Sequence, residues 1–387
     1  MKYISRIDHI PQLTESDKAA MRLVEERYVF RATDYYLKLI DWDDPRDPIR
    51  QLILPRIEEL NDWGRLDASD ESANTVGQGI QHKYPDTALL LCNEVCGGYC
   101  RYCFRKRLFM DGNDEVSKDV SAGIAYIAAH PEISNVLLTG GDPLIMSTRR
   151  LSEIIAALRR IPHVRVIRLG SKMPAFNPAR ILDDDALLEM LALHSTADKR
   201  IYLMAHFDHP RELTDTALRA LDRLTRSGVI LTNQCPIIRG VNDDAAVLSE
   251  LFRRLSWIGC TPYYLFQGRP TSGNDPYRVP IVEGWYLFQA ALSWGAGLAR
   301  RARFVMSHAS GKIEILMVDD AHIHLRYHRA KNPAHSGRLL VCERDDEACW
   351  LDELKVLKTL PMRGPAPSAS PRYQRPAGRG APLRPAA

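Results

Sequence analysis

The sequence predicts an α/β fold in which a parallel sheet is assembled from repeated strand and helix units. Two observations carry this. Short, continuously apolar or β-branched runs recur near residues 87–92, 135–139, 164–169, 200–207, 230–238 and 261–267. That is the pattern of strands buried on both faces, not the alternation of half-exposed ones. Interleaved with them are amphipathic stretches near 118–130, 149–160, 184–193, 214–227, 244–257 and 281–294, with apolar residues at helical spacing. Six βα units result, and a repeated βα order makes the strands parallel with helices outside.

The flanking segments read differently. From about Thr14 to Lys38, helix formers with Met21, Val24 and Tyr28 at helical spacing predict one or two helices. Asp43-Asp44-Pro45-Arg46-Asp47-Pro48-Ile49-Arg50 then breaks the chain at two X-Pro steps. After the sixth unit, the runs 313–318 and 323–328 flank Asp319-Asp320-Ala321-His322 and predict a hairpin. The stretch from about Pro361 onward is Pro, Ala, Arg, Gly and Ser, a disordered composition. The expected division is an N-terminal helical extension over 1–80, a core over 81–300, a segment closing the active site over 301–360 and a tail over 361–387.

Composition narrows the function classes. A net charge of +4 on 387 residues is too small to imply nucleic acid. No apolar run reaches about 18 residues and the start lacks a signal-peptide core, so no membrane partner and a cytoplasmic location are expected. Eight cysteines are too sparse for a disulfide scaffold.

Four of those cysteines fall between Cys92 and Cys103, and such clustering asks for a metal. Cys96, Cys100 and Cys103 form C-x3-C-x2-C, with no second ligand pair of the kind a structural zinc site uses. The spacing lets one loop wrap three corners of a [4Fe-4S] cluster and leaves the fourth iron open for a ligand. Cys92 ends an apolar run, where a buried strand cysteine is the commoner reading than a fourth ligand.

This loop resembles the cluster loop of radical S-adenosylmethionine (radical SAM) enzymes, and Cys100-Arg101-Tyr102-Cys103-Phe104-Arg105-Lys106-Arg107 resembles the lysine 2,3-aminomutase family in particular. The same family is matched by the Asp-Asp-Pro segment, by His82-Lys83-Tyr84-Pro85-Asp86, by Thr139-Gly140-Gly141-Asp142, by Arg168-Leu169-Gly170-Ser171, by His206-Phe207-Asp208-His209-Pro210 and by Thr232-Asn233-Gln234. The resemblance implies a partial (βα)6 TIM-like barrel that generates a 5′-deoxyadenosyl radical from S-adenosylmethionine. It implies cofactor contacts from Tyr102, Thr139, Gly140, Gly141, Asp142, Arg168, Ser171 and His206, with Asn233, Gln234 and Lys83 toward pyridoxal 5′-phosphate (PLP). Lys312 is the candidate for the PLP lysine, against the bland alternative of a solvated lysine opening the hairpin. Arg105 matches the arginine that holds the substrate α-carboxylate. A small amino acid substrate, a flavodoxin or ferredoxin-type electron donor and a homo-oligomer are the implied partners.

Three departures shape the expected chemistry. Thr87 stands where the family has an arginine at PLP, so the phosphate site looks reduced. Asp244 replaces a cysteine that binds zinc in some members, and Cys342 and Cys349 are expected to be free. Gln267-Gly268-Arg269 puts an arginine where lysine-specific members have an aspartate against the distal ammonium, and the other aspartate aligns near Ser307. An unpaired arginine there would repel a lysine side chain, which predicts an amino acid other than lysine as substrate unless Arg269 is paired internally, for example with Asp275. The alternative is a PLP-independent relative catalysing dehydrogenation, epimerisation or decarboxylation.

Overall fold

The computed structural model describes residues 1–361; the expected tail beyond Pro361 lies outside them. At the N-terminus β1 (Tyr3–Ile4) precedes α1 (Glu15–Glu25), and β2 (Ala32–Thr33), which pairs with β1, leads into α2 (Asp34–Leu37) and α3 (Pro48–Ile53). Thr14 and Asp17 close a capping box at the start of α1, with Asp17 N donating to Thr14 Oγ1 at 3.1 Å. Asp47 caps α3, followed directly by Pro48 at the first helical position, where its missing N–H costs nothing. The Asp-Asp-Pro stretch is therefore a helix start.

β3 (Thr75–Gly77) and β4 (Ile80–Tyr84) run antiparallel into β5 (Thr87–Asn93). From there strands and helices alternate: α4 (Ser121–Ala129), β6 (Asn135–Gly140), α5 (Thr148–Arg159), β7 (Val166–Ser171), the short α6 (Met173–Phe176) and α7 (Ala179–Leu182), α8 (Asp185–His194), β8 (Ile201–Ala205), α9 (Asp215–Arg226), β9 (Ile230–Pro236), α10 (Ala245–Trp257), β10 (Thr261–Phe266), α11 (Ile281–Ser293) and β11 (Arg303–His308). All six neighbouring pairs from β5 to β11 are parallel. Acid and hydroxyl caps set the helix starts: Asp184, Thr214 and Asp244 accept the free amides of α8, α9 and α10.

The C-terminal part is larger than the expected hairpin. β12 (Gly311–Val318), β13 (His322–Ala330), β14 (Leu339–Glu343) and β15 (Val356–Leu360) continue the same sheet antiparallel from β11. The buried apolar residues of β11 are only Phe304, Val305 and Met306, too short a run to announce a seventh parallel strand. The result is a mixed α/β fold with one thirteen-stranded, partly parallel sheet and flanking helices, ordered consecutively from β3 to β15 without pairing between the two ends. Among the described residues no helix is long and apolar enough to cross a membrane.

Candidate active site

The cysteine loop leaves the end of β5 and is tied down on both sides. Arg101 is 1% exposed and its guanidinium donates to both carboxylate oxygens of Glu59 at 3.0 and 2.8 Å. Lys106 reaches the same carboxylate at 3.2 Å and the Gly273 carbonyl at 2.6 Å. The Tyr102 hydroxyl donates to Asp208 and lies 3.0 Å from His206 Nε2. Arg101, Tyr102 and Lys106 are thus anchored in buried polar partners, and Cys96, Cys100 and Cys103 are left facing one cavity of about 370 Å³, a small-molecule size. Burial raises all three thiols, Cys100 to about 12, and Cys96 and Cys100 are raised further by their neighbours in the trio. Metal displaces protons from such thiols and supplies the missing positive charge, so the three fit a metal cluster on a shared site. Cys92 is separate: it is buried in the core with its Sγ 3.7 Å from the Thr139 carbonyl.

Gly140 and Gly141 line the cavity, and they also admit a close approach from within the chain. A Cβ on Gly140, where φ is +100°, would sit 2.6 Å from the Asn93 carbonyl, and one on Gly141 would sit 2.4 Å from that of Val95. The pair admits the backbone of the cysteine loop itself, which Asp142 N fastens by donating to Val95 O at 2.9 Å. Asp142 accepts from Ser171 Oγ and Lys172 N at 2.9 and 2.8 Å, and burial lifts its carboxyl to about 6. Thr139, Asp142, Ser171 and His206 all line the cavity.

The same cavity runs along the inner face of the sheet to Thr87, the first residue of β5. Taken whole, it is strongly basic: eight lysines and arginines line it against two acids, Glu71 and Asp142, so it favours anionic ligands. Lys312 lies over the Tyr264 and Phe266 rings at 4.8 and 4.6 Å. Burial, then Arg269, Arg168, Lys83 and Arg329, hold its amine well below the usual lysine range, the setting that makes a lysine a neutral nucleophile. It is not a solvated hairpin lysine. Lys83 donates to the His308 carbonyl at 2.5 Å and is pushed down to about 8 by burial. Arg168 donates to Asn135 at 2.8 Å, and Gln234 also lines this end. A neutral amine among cations fits PLP.

Asn233 does not join them. It is 1% exposed, and its amide accepts from Phe207 N at 2.8 Å and donates to Phe207 O at 3.0 Å, stitching β9 to the end of β8.

Arg269 is paired inside the protein, with Glu71 and not with Asp275. It pairs with Glu71 at 3.5 Å and lies 3.6 Å over the Phe104 ring, while Asp275 pairs with Arg278. Glu71 also takes a bidentate contact from Arg105, 3.1 Å on each oxygen, and one from Arg107 at 3.2 Å. Burial would raise the Glu71 carboxyl, but Arg105 and Arg269 outweigh it and hold it well below the usual carboxylate range. Arg105 donates in addition to Thr139 Oγ1 at 2.6 Å. Neither Glu71, in a polar turn before the sheet, nor Arg329, far along the hairpin, was among the sequence candidates. Arg329 had a signal: counting outward from the Asp319–His322 turn places it opposite Lys312.

The profile described as Radical SAM superfamily matches residues 91–251. A protein of Aquifex aeolicus provisionally named an L-lysine 2,3-aminomutase is 52% identical over 92% of this chain and 96% of its own. The L-lysine 2,3-aminomutase of Clostridium subterminale is 37% identical over 71% of this chain and 65% of its own. The glutamate 2,3-aminomutase of Clostridioides difficile is 32% identical over 76% and 69%. These relatives overturn the expectation of an amino acid other than lysine, since those of highest identity carry lysine in their names, and the Glu71 partner removes the repulsion on which that expectation stood. With cluster-type cysteines, a basic cavity and this degree of identity, the chain is an enzyme of the radical SAM superfamily and belongs to the lysine 2,3-aminomutase family.

Proposed function

We propose that the chain is an L-lysine 2,3-aminomutase, holding a [4Fe-4S] cluster on Cys96, Cys100 and Cys103 and PLP on Lys312. One observation carries the reading: these three thiols and this lysine, delivered from distant strands, line a single cation-rich cavity. When bound, the cluster and S-adenosylmethionine supply a carbon-centred radical that takes hydrogen from an unactivated carbon, and PLP supplies the group through which nitrogen migrates.

The chain's own residues bind, orient and shield. Tyr102, Thr139, Asp142, Ser171 and His206 with the Gly140-Gly141 backbone form the wall for S-adenosylmethionine. Lys312 offers a neutral amine to the PLP aldehyde, with Lys83, Arg168 and Gln234 at the phosphate end. Arg105, whose fork is already oriented by Glu71 and Thr139, turns toward the substrate α-carboxylate. Glu71 masks Arg269 and so leaves the cavity tolerant of a second ammonium. Residues 81–300 form the partial barrel in this reading, with 1–80 and 301–360 covering it, and a flavodoxin or ferredoxin-type donor and a homo-oligomer complete it.

The test is anaerobic reconstitution with iron, sulfide and PLP, then dithionite, S-adenosylmethionine and L-lysine. β-Lysine and 5′-deoxyadenosine are expected, both lost in Cys100→Ala. Product from glutamate with lysine inert overturns the substrate. Release of 5′-deoxyadenosine by protein that never takes up PLP overturns the aminomutase assignment.

A further inference from the structure

Lys312 and Arg329 are directly opposed across β12 and β13, with Gly311 opposite Ala330 beside them. Cross-strand partners project from the same face, and like charges directly opposite destabilise a sheet. Both side chains face the cavity, and Lys83, Arg168 and Arg269 line it too. Glu71 is committed to Arg105, Arg107 and Arg269, which leaves Lys83, Arg168 and Lys312 without a carboxylate partner among the described residues. Such a cluster is stable around a ligand carrying more than one negative charge.

Arg329 is held at this end by three partners. Its guanidinium stacks 4.2 Å from the Tyr84 ring, donates to Thr87 Oγ1 at 3.2 Å and pairs with Asp86 at the rim. These contacts fix the fork beside the first residue of β5. Gly311 makes the approach possible, since a Cβ there, where φ is +151°, would lie 2.4 Å from the Arg329 carbonyl. Threonine at position 87 leaves space that a longer side chain would fill, and the tip of Arg329 occupies it.

We propose that Arg329, carried by the C-terminal hairpin and braced on Tyr84 and Thr87, is the residue that grips the phosphate monoester of PLP in this chain, in place of a cation on β5. The inference rests on the PLP reading above. A planar fork suits two phosphate oxygens at once, which Lys83 as a point charge does not.

The test measures binding of PLP and of pyridoxal, which lacks the phosphate, by the visible absorbance of the cluster-loaded protein. Arg329→Met and Arg329→Gln should each weaken PLP roughly ten- to hundred-fold, the range of one charge-assisted contact, with pyridoxal unchanged. Adding Thr87→Arg to Arg329→Met should restore PLP affinity. Iron content and circular dichroism verify the fold of each variant. Parental affinity for PLP in both Arg329 variants, or equal losses for PLP and pyridoxal, overturns the proposal. No recovery in the double variant overturns the placement of the phosphate beside Thr87. Those failures leave the PLP reading standing, whereas a parent protein that binds neither compound defeats that reading and this one together.

Discussion

Replacing Glu71 by glutamine removes the one carboxylate that three arginines share. Glu71 is 12% exposed on its side chain and contacts Arg105, Arg107 and Arg269 within 3.5 Å. Removing one partner of a buried pair costs roughly 3–5 kcal/mol, because the remaining charge stays buried and unpaired. Glutamine keeps the shape and one acceptor, so the expected loss is at the lower end, about 3 kcal/mol, read by urea denaturation of the cluster-loaded protein at neutral pH. The pH dependence has a definite sign. The folded carboxyl sits well below its ordinary 4.5, so its contribution is whole above that pH and drains as pH falls below it. Parent and Glu71→Gln stabilities should therefore converge in acid. The substitution also unmasks Arg269, which predicts a raised KM for lysine, lowered again when Arg269→Met is added. A Glu71→Gln protein within about 1 kcal/mol of the parent, with unchanged KM, would refute the claim that this carboxylate masks Arg269.

Gly311→Ala should cost roughly 1–3 kcal/mol through strain and displacement of the β13 backbone, and weaken PLP binding in parallel, as measured by denaturation and PLP titration. Lys83, lowered to about 8, should make PLP affinity decline as pH rises through that value; Lys83→Met should flatten the decline. Its depressed value also means that the unfolded chain binds more protons between about 8 and 10.5, so stability contributed at this site rises with pH across that window. Cys92→Ala should retain the iron content of the parent, whereas Cys103→Ala should lose it, as assayed after anaerobic reconstitution.

The six βα units were legible because continuously apolar strands and acid or hydroxyl helix caps are local signals, and each began within a few residues of its expected place. Lys312 was legible as a candidate through its place after the sixth unit. What the sequence could not supply was pairing at long range. Arg269 looked free because Glu71 lies almost two hundred residues away in a turn with no apolar pattern of its own. Asn233 looked like a ligand because Asn-Gln on a strand end has two readings, and only the position of Phe207 decides between them. The glycine pair after β6 announced a close approach, and only the structure shows that one of the approaching groups is the chain itself. β11 was hidden because three buried apolar residues fall below the length at which an apolar run announces a strand.

The consecutive strand order bears on how the protein is made. Cys96, Cys100 and Cys103 follow the first parallel strand, while Lys312 and Arg329 enter only when β12 and β13 add beyond the seventh. During synthesis the cysteine loop and Glu59 are therefore made well before the strands that carry Lys312 and Arg329. The two halves of the cavity therefore come from opposite ends of the sheet, and the cavity is whole only once the C-terminal hairpin has docked.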